Sequence, residues 1–596
     1  MVLTNNMGED KSILKDKYFL IAVFLIIASI SGIYFGVKYL LEKTSGENAA
    51  RKQCYTEAPQ YPDISFINDY SGTHPWWNDE YTHFKQVTLE NKDTKNKLTD
   101  ACWITLQFNH SLYVEDKKSK ADGGDLRIVY YENESYTELP VIISEPNTSK
   151  TRLFFLPVND VEAGGKDESY FLYYGNQAAE LSTPAQQEEE PYYSQNYKLY
   201  INRETNPKIF GQLNRHWFLR GQGLEDDYST LEYTVSIDES IKPDTTPYFE
   251  LLGTPMKGDL EFAYKGEYEA EVDISTIPPG AYQIQTTVIS NGETYKSIKS
   301  HIFISYPLYV VWTMDWEGTG VPQDELDRIT TFSSNHDAPI THFFNPRIYV
   351  TSEVSEEEAK SLTSWIQNRQ INGDEIGLHL HMHYDLVSAA GVEVRTSPKW
   401  TNYLNNGHDV PCSAYTLEEF SRILMWSKQE FLNQGLGVPS SFRAGGWFAD
   451  TKVLQALEDN GIRIDSSGRS AYTWGSYGLK GYWNLAPTTK PYFPSKSNQN
   501  SSSPSPNFGV REFPNNGADS WFYTSDELID RFNQNYSQGP LSEAQVITYL
   551  SHPHQIHIDM EVLEPTYNYI DNYKIEADQG PVIYVTLIQA DTFLPR

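Results

Sequence analysis

The pattern of apolar residues changes near Ser305, and this change most limits the folds open to the chain. Before it, short runs such as "DLRIVYY" and "AYQIQTTVIS" are separated by turn-forming residues, as antiparallel strands are. After it, the strand-like run "YPLYVVWTMD" is followed by helical patterns such as "SEEEAKSLTSWIQNR" and "TLEEFSRILMWSKQEFLNQ". Strands that alternate with helices predict an α/β domain with a parallel sheet or barrel.

Residues 18–37 form an uninterrupted uncharged run that is long enough to span a bilayer as a helix. A cleaved signal peptide has a shorter apolar core, so we interpret the run as an uncleaved anchor. The basic residues on its two sides nearly balance, so charge alone does not orient it. Cys54 and Cys102 could pair in an oxidising compartment, which favours an extracellular position for the bulk of the chain.

These patterns predict a multidomain protein with an N-terminal transmembrane helix, two β-sandwich domains and a C-terminal α/β domain. The expected parts are a short tail (1–17), a transmembrane anchor (18–41), a stalk (42–65), a β-sandwich (66–182), a linker (183–194), an immunoglobulin-like β domain (195–305) and the α/β domain (306–596).

The net charge of the chain is -33, and no cluster of Lys and Arg interrupts it. Binding to nucleic acid depends on such clusters, so we expect no nucleic-acid partner. A solvated, repulsive exterior is the simpler meaning of the charge.

Three histidines fall within five positions in "EIGLHLHMH". On a helical turn His379 and His383 would share a face and could hold one metal ion. On a strand His379 and His381 would share a face instead. A half-buried strand whose histidines have no function is the third interpretation.

Other polar residues follow apolar runs, where the carboxyl ends of strands form active sites in α/β folds. In "TMDWEG", Asp315 and Glu317 could supply one metal ligand and one general base. Arg443, in "FRAGG", could orient a catalytic carboxylate, and the two glycines would let the backbone approach another group. His552 in "SHPHQIH" could be a general acid, with His554 as its rival.

Taken in order, these four segments resemble the motifs of the polysaccharide deacetylase family, the NodB-homology domain of carbohydrate esterases. The resemblance covers about residues 306–596 and implies a distorted β/α barrel. It departs from the family pattern in two places, because "TMDWEG" has an extra residue between its acids and "FRAGG" lacks the usual proline.

The resemblance implies a metal held by Glu317, His379 and His383, with His381 at a non-ligand position. It implies that Asp315 is the catalytic base, Arg443 its orienting partner and His552 the acid, although Asp315 and Glu317 could exchange roles. The implied cofactor is one divalent metal ion, zinc first and cobalt, nickel or iron as alternatives. The implied reaction is removal of N-acetyl or O-acetyl groups from a polysaccharide.

Residues 100–182 also resemble a small β domain of unknown function that recurs in large prokaryotic surface proteins. Two other functions stay open at this point. One is a surface scaffold whose deacetylase-like domain is inactive, and the other is a metal hydrolase that acts on a non-sugar amide. The aromatic segments 472–484 and 519–523 could stack on sugar rings or simply pack beneath loops.

Overall fold

The computed structural model describes residues 54–595 except for 68–69, 71–75, 79, 182–191, 206–207, 222–227, 402–403 and 475–476. The predicted tail and transmembrane anchor, and most of the predicted linker, lie outside the described residues. Within the described ranges, no helix is both long and apolar enough to cross a membrane. The chain divides into two compact units, residues 1–206 and residues 207–596.

The described part of the first unit consists of short strands and one short helix. Its elements are β1 (Ile64–Phe66), β2 (His83–Asn91), β3 (Ile104–Phe108), α1 (Ser111–Glu115), β4 (Arg127–Glu132), β5 (Ser135–Leu139), β6 (Ile142–Ser144), β7 (Thr151–Phe155), β8 (Lys166–Tyr174) and β9 (Tyr197–Ile201). One sheet has the order β1-β9-β2-β8-β4-β5 and the other β3-β7-β6. Side chains of both sheets, including Leu106 and Leu172, form one buried core, as in a β-sandwich.

Two segments that we predicted elsewhere belong to this first unit. Strand β9, predicted in the immunoglobulin-like domain, pairs with both β1 and β2. Strand β1, predicted at the end of the stalk, is the parallel neighbour of β9, and a disulfide joins Cys54 to Cys102. The alternating burial of β9 would suit either β domain, so the sequence pattern could not assign the strand.

In the described part of the second unit, the first ten strands form two facing sheets. They are β10 (Ile209–Leu213), β11 (Trp217–Leu219), β12 (Thr230–Ile237), β13 (Tyr248–Leu252), β14 (Lys257–Asp259), β15 (Glu261–Tyr264), β16 (Glu267–Asp273), β17 (Gly280–Ser290), β18 (Glu293–Lys296) and β19 (Ser300–Ser305). The sheet orders are β10-β12-β16-β15 and β11-β19-β17-β13-β14, with β18 beside β17. Val235, Phe249 and Ile302 belong to the core that the two sheets share.

Strands and helices alternate in the rest of the second unit. The strands are β20 (Leu308–Asp315), β21 (Ile340–Phe344), β22 (Glu375–Leu380), β23 (Ser441–Ala444), β24 (Ile464–Asp465), β25 (Thr473–Trp474), β26 (Leu479–Lys480), β27 (Arg511–Glu512), β28 (Ala518–Asp519), β29 (Gln545–Ser551) and β30 (Val582–Tyr584). The helices are α2 (Gln323–His336), α3 (Glu356–Ile371), α4 (Tyr384–Ala389), α5 (Leu417–Asn433), α6 (Thr451–Asp459), α7 (Ser525–Asn535), α8 (Ile556–Ile570) and α9 (Leu587–Phe593).

Nine of these strands form one parallel sheet. Its order is β27-β24-β23-β22-β21-β20-β29-β28, with β30 beside the start of β20. In the described part of the chain no pairing joins β27 to β28, so the hydrogen-bonded path does not close into a ring. Each of these two end strands is only two residues long, which leaves few backbone groups to complete a regular barrel.

Local sequence signals explain the elements that surround the site. All residues of β20 and β22 are buried, as expected of central strands that are covered on both faces. The predicted helices α3 and α5 are confirmed, and each begins with a capping box, Ser355 with Glu358 and Thr416 with Glu419. Because neighbouring strands run parallel, the polar residues that follow β20, β22, β23 and β29 meet at one edge of the sheet.

Candidate metal centre

Glu317 lies at the centre of a cluster of histidines beyond the carboxyl ends of the strands. Its Oε2 is 2.9 Å from Nε2 of His381 and 3.2 Å from Nε2 of His408. Its Oε1 is 4.0 Å from Nε2 of His379 and 3.8 Å from Nε2 of His552. Five residues from four separate segments of the chain thus direct side chains toward one small volume.

Glu317, His379 and His381 have the geometry of a metal site. Each of the three offers one ligand atom, and these atoms all lie within 4.8 Å of one another. Strand β22 carries His379 and ends at Leu380, and the Nε2 atoms of His379 and His381, two positions apart, both face Glu317. Of the alternatives left open by the sequence, the strand pair His379 and His381 is therefore the one whose nitrogens meet Glu317.

Backbone carbonyls fix which nitrogen of each ring faces the cluster. Nδ1 of His379 bonds the carbonyl oxygen of Arg443 at 2.9 Å, and Nδ1 of His381 bonds that of His408 at 2.8 Å. A proton on Nδ1 leaves the Nε2 lone pair of each ring for a metal ion, the arrangement that second-sphere partners of metal-bound histidines impose. Nε2 of His379 is buried and has no hydrogen-bond partner among the described residues.

The charges within the cluster agree with this assignment. Burial alone would raise the pKa of Glu317, but the charge and the hydrogen bond of His381, together with those of His408, hold that pKa well below its usual range. Burial lowers the pKa of His381, but the Glu317 carboxylate outweighs burial and raises that pKa above its ordinary value. The carboxylate thus favours a positive charge beside it, and a divalent cation would take that place.

His383, which the resemblance implied as the third ligand, is not in this group of three. Its ring centroid is 6.0 Å from that of His381 and 5.4 Å from that of His408. The chain turns at His383 into helix α4, which directs this side chain differently from the two histidines before it. Both of its ring nitrogens are buried without a hydrogen-bond partner among the described residues, and burial lowers its pKa well below the ordinary value.

Arg443 holds Asp315, as the sequence suggested. Its Nη1 lies 2.9 Å from Oδ1 of Asp315 and also donates to the hydroxyl of Thr313. Its Nε and Nη2 donate to the carbonyl and the hydroxyl of Ser466. The guanidinium is fully buried, so these bonds fix the carboxylate of Asp315 at the end of β20, next to Glu317.

The two glycines after Arg443 include one that lets the backbone approach a ligand. A Cβ added at Gly445 would lie only 2.7 Å from Cγ and from Nδ1 of His381. The sequence predicted that the glycines after Arg443 let the backbone approach another group, and that group is the imidazole ring of His381.

His552 approaches the cluster from the neighbouring strand β29. Its Nδ1 is 3.9 Å from Oδ1 of Asp519, and its ring stacks on Trp521 with centroids 3.9 Å apart. Burial lowers the pKa of His552 to about 4 and raises that of Asp519 to about 8. Among the described residues, Nε2 of His552 is 3.8 Å from Oε1 of Glu317, whereas no ring nitrogen of His554 comes within 4.0 Å of that carboxylate, so His552 is the better placed of the two.

The sequence analysis missed His408 altogether, and it included Asp519 and Trp521 only as part of an aromatic segment that could stack on sugar rings. His408 lies in the long connection between α4 and α5, with no spacing that relates it to the other histidines. The preceding Gly407 has φ +90° and sits where a Cβ would be 2.4 Å from the carbonyl oxygen of Met382. This close approach stacks the ring of His408 on His381, with centroids 3.8 Å apart.

Comparisons with known proteins were made by sequence and by structure. No family model matches the chain. No curated protein matches it either. Over about half its length, the chain is similar to solved structures of polysaccharide deacetylases.

A family 4 carbohydrate esterase from Streptomyces lividans is 10% identical, with 46% of this chain and 97% of that chain covered and a TM-score of 0.25. A peptidoglycan deacetylase from Bacillus subtilis is 11% identical, with 48% and 91% covered and a TM-score of 0.25. A family 4 pseudoenzyme from Bacillus anthracis is 12% identical, with 48% and 65% covered and a TM-score of 0.25. Identities and TM-scores this low assign no activity, so function rests on the site residues themselves.

Proposed function

We propose that this chain is a membrane-anchored, surface-exposed, metal-dependent carbohydrate deacetylase that removes N-acetyl or O-acetyl groups from a polysaccharide. The observation that carries the proposal is the triad of Glu317, His379 and His381, whose ligand atoms lie within 4.8 Å of one another. Beside it stand an arginine-held carboxylate, Asp315, and a buried histidine, His552.

The donor set suits a divalent transition metal. Two imidazoles and one carboxylate are ligands that catalytic zinc sites use, and cobalt, nickel and iron accept the same donors. Bound there, such an ion would lower the pKa of a coordinated water and polarise an acetyl carbonyl. Zinc is our first expectation.

The protein side chains would handle the protons. Asp315, oriented by Arg443, would accept a proton from the attacking water. His552 would pass a proton from Asp519, whose pKa burial raises to about 8, to the leaving sugar nitrogen or oxygen, so that water and the acetylated sugar become acetate and the free amine or hydroxyl. The stacked ring of Trp521 would keep His552 in position.

The location is proposed from two features. The predicted anchor at residues 18–41, with its apolar run 18–37, would hold the chain in a membrane, and it lies outside the described residues. The Cys54–Cys102 disulfide supports an oxidising compartment for the first unit, because disulfides persist outside the cytosol.

Metal content and acetate release test the proposal together. The full chain, purified in detergent, should contain one equivalent of a transition metal by elemental analysis and release acetate from acetylated glycans. His379→Gln should contain none and release none. His557→Gln, which changes a half-exposed histidine of α8, should behave as the parent does.

Two results would redirect the proposal. A parent protein without metal after reconstitution would favour the inactive surface scaffold. The other result is a protein that contains the metal and releases acetate from acetylated amines but not from any glycan. It would favour the metal hydrolase that acts on a non-sugar amide.

A further inference from the structure

A narrow pocket beside the proposed catalytic acid contains two arginines. It is lined by Arg469, Arg531, Asn515 and Asp519, with apolar residues 485–487 on one side. Asp519 is the residue whose Oδ1 approaches Nδ1 of His552 at 3.9 Å. One side chain therefore separates this pocket from the histidine that faces the metal cluster.

Neither arginine forms an ion pair within the described part of the chain, although Asp519 interacts with the charge of Arg469 and Glu527 with that of Arg531. No carboxylate oxygen of that part lies within 4.0 Å of either guanidinium, although the chain as a whole carries a net charge of -33. Arg469 instead stacks on Trp447 and Tyr472, with its guanidinium carbon 4.1 Å and 4.9 Å from the ring centroids, and its Nε is buried without a partner. Arg531 reaches the same pocket from helix α7.

The pocket also contains polar atoms without partners. Oδ1 of Asn515 and Oδ2 of Asp519 are both buried and have no hydrogen-bond partner among the described residues. Burial raises the pKa of Asp519 to about 8, so near neutral pH this carboxyl group is protonated, does not repel an anion and can donate to it. Two cationic donors, one carboxyl donor and one amide acceptor in one pocket match a carboxylate beside a hydroxyl group. A uronic acid, or another sugar acid, has this combination of groups.

We infer that the pocket between Arg469 and Arg531 binds the carboxylate of an acidic sugar, so that the glycan acted on beside His552 is an acidic one. The inference rests on the proposed function for its link to deacetylation. Guanidinium groups recognise carboxylates through paired hydrogen bonds, which a neutral sugar cannot replace. The acidic exterior does not prevent such binding, because charges more than about 8 Å away are largely screened at physiological ionic strength.

Binding of two matched tetrasaccharides tests the pocket. One is a hyaluronan tetrasaccharide, which alternates N-acetylglucosamine with glucuronate, and the other is the same molecule with its carboxyl groups reduced to alcohols. The full chain carrying Asp315→Asn should bind the acidic probe at least about tenfold more tightly, since hydrogen bonds between charged partners contribute that much or more. Titration calorimetry would give both dissociation constants.

Arginine variants, made in the Asp315→Asn chain, locate the preference. Arg531→Gln and Arg469→Gln should each lower the ratio of the two affinities toward one. Arg531→Gln is the safer variant, because Arg469 also packs on two aromatic rings. Arg422→Gln, which changes an exposed arginine of α5, should keep the full preference.

Three results would overturn the inference. They are equal affinity for the two probes, no measurable binding of the acidic probe, and an unchanged preference for the acidic probe in both arginine variants. Acetate release by the parent chain separates this outcome from failure of the proposed function. A preference that depends on Arg531 without acetate release would leave the pocket standing and remove the deacetylase. Acetate release at equal rates from both probes would support the deacetylase and remove the pocket as a site for acidic sugars.

Discussion

Gly445 lies against the imidazole ring of His381, so closely that a Cβ at position 445 would be 2.7 Å from two ring atoms. The backbone of the segment after β23 thus forms one wall of the proposed metal site. Within β23 itself, the carbonyl oxygen of Arg443 bonds Nδ1 of His379. Strand β23 therefore supports two of the three proposed ligands.

Gly445→Ala should displace His381 and weaken metal binding by about ten- to a hundredfold, the loss typical when the support of a ligand is changed. Zinc affinity measured by competition with a chelator would show it. Gly539→Ala is the matched control, because a Cβ at that position meets no atom within 4 Å. Unchanged affinity in Gly445→Ala would mean that His381 is not a ligand.

The third ligand can be decided by comparing His381→Gln with His383→Gln. We expect His381→Gln to lose the metal and His383→Gln to retain it, because only His381 has a nitrogen within 4.8 Å of the atoms of Glu317 and His379. Elemental analysis of both variants gives the answer. The opposite pattern would favour the ligand set that the resemblance implied.

Asp315→Asn should lower kcat by about a hundredfold or more while the metal content stays at one equivalent, because a general base contributes about that much to the rate. Acetate release and elemental analysis on the same preparation would test this. Simultaneous loss of metal and turnover would exchange the roles of Asp315 and Glu317. Asp327→Asn, on the exposed face of α2, serves as the control.

Several parts of this site could be predicted from local sequence because strand ends determine them. Asp315, Arg443 and His552 each follow or end an apolar run, and their contacts agree with that placement. Which of His381 and His383 joins His379 at the metal site could not be predicted. It depends on how the chain bends between the end of β22 at Leu380 and the start of α4 at Tyr384. His408 and Asp519 depend on how loops return to the sheet, which apolar periodicity does not report.

The pair Asp465 and Glu512 makes stability depend on pH. These residues are register partners in β24 and β27, and both are fully buried. Burial raises the pKa of Asp465 to about 6 and that of Glu512 well above its ordinary value. Since the folded state binds protons more tightly than the unfolded chain, the free energy of unfolding should fall as the pH rises from about 4 through 6 and beyond.

Glu512→Gln should weaken this pH dependence and raise the free energy of unfolding near pH 8. The amide can donate to Asp465 without titrating, while its oxygen still accepts from the backbone of Gly468. Urea unfolding at pH 5 and pH 8 would measure the change. Glu418→Gln, at an exposed position of α5, should leave the profile of the parent, and an identical profile in Glu512→Gln would exclude the pair as its source.

The Cys54–Cys102 disulfide should stabilise the first unit by about 4 kcal/mol, as expected when a loop of this length is closed in the unfolded chain. Replacing both cysteines with serine should lower the free energy of unfolding by that amount. The unfolding transition of the first unit, followed by near-ultraviolet circular dichroism, would report it. A change below about 1 kcal/mol would mean that native strain offsets the cross-link.

That disulfide also determines how the first unit would bear a mechanical load. If residues 18–41 are held in a membrane, any pull on the rest of the chain reaches the first unit through Cys54. The disulfide transmits the tension directly to Cys102, two residues before β3. The three-residue strand β1, which lies between the two cysteines in sequence, then carries none of the load. Under shear at a cell surface, the N-terminal end of the first unit would thus stay attached until the disulfide is reduced. The hydrogen bonds between β1 and β9 alone would break one after another under the same force.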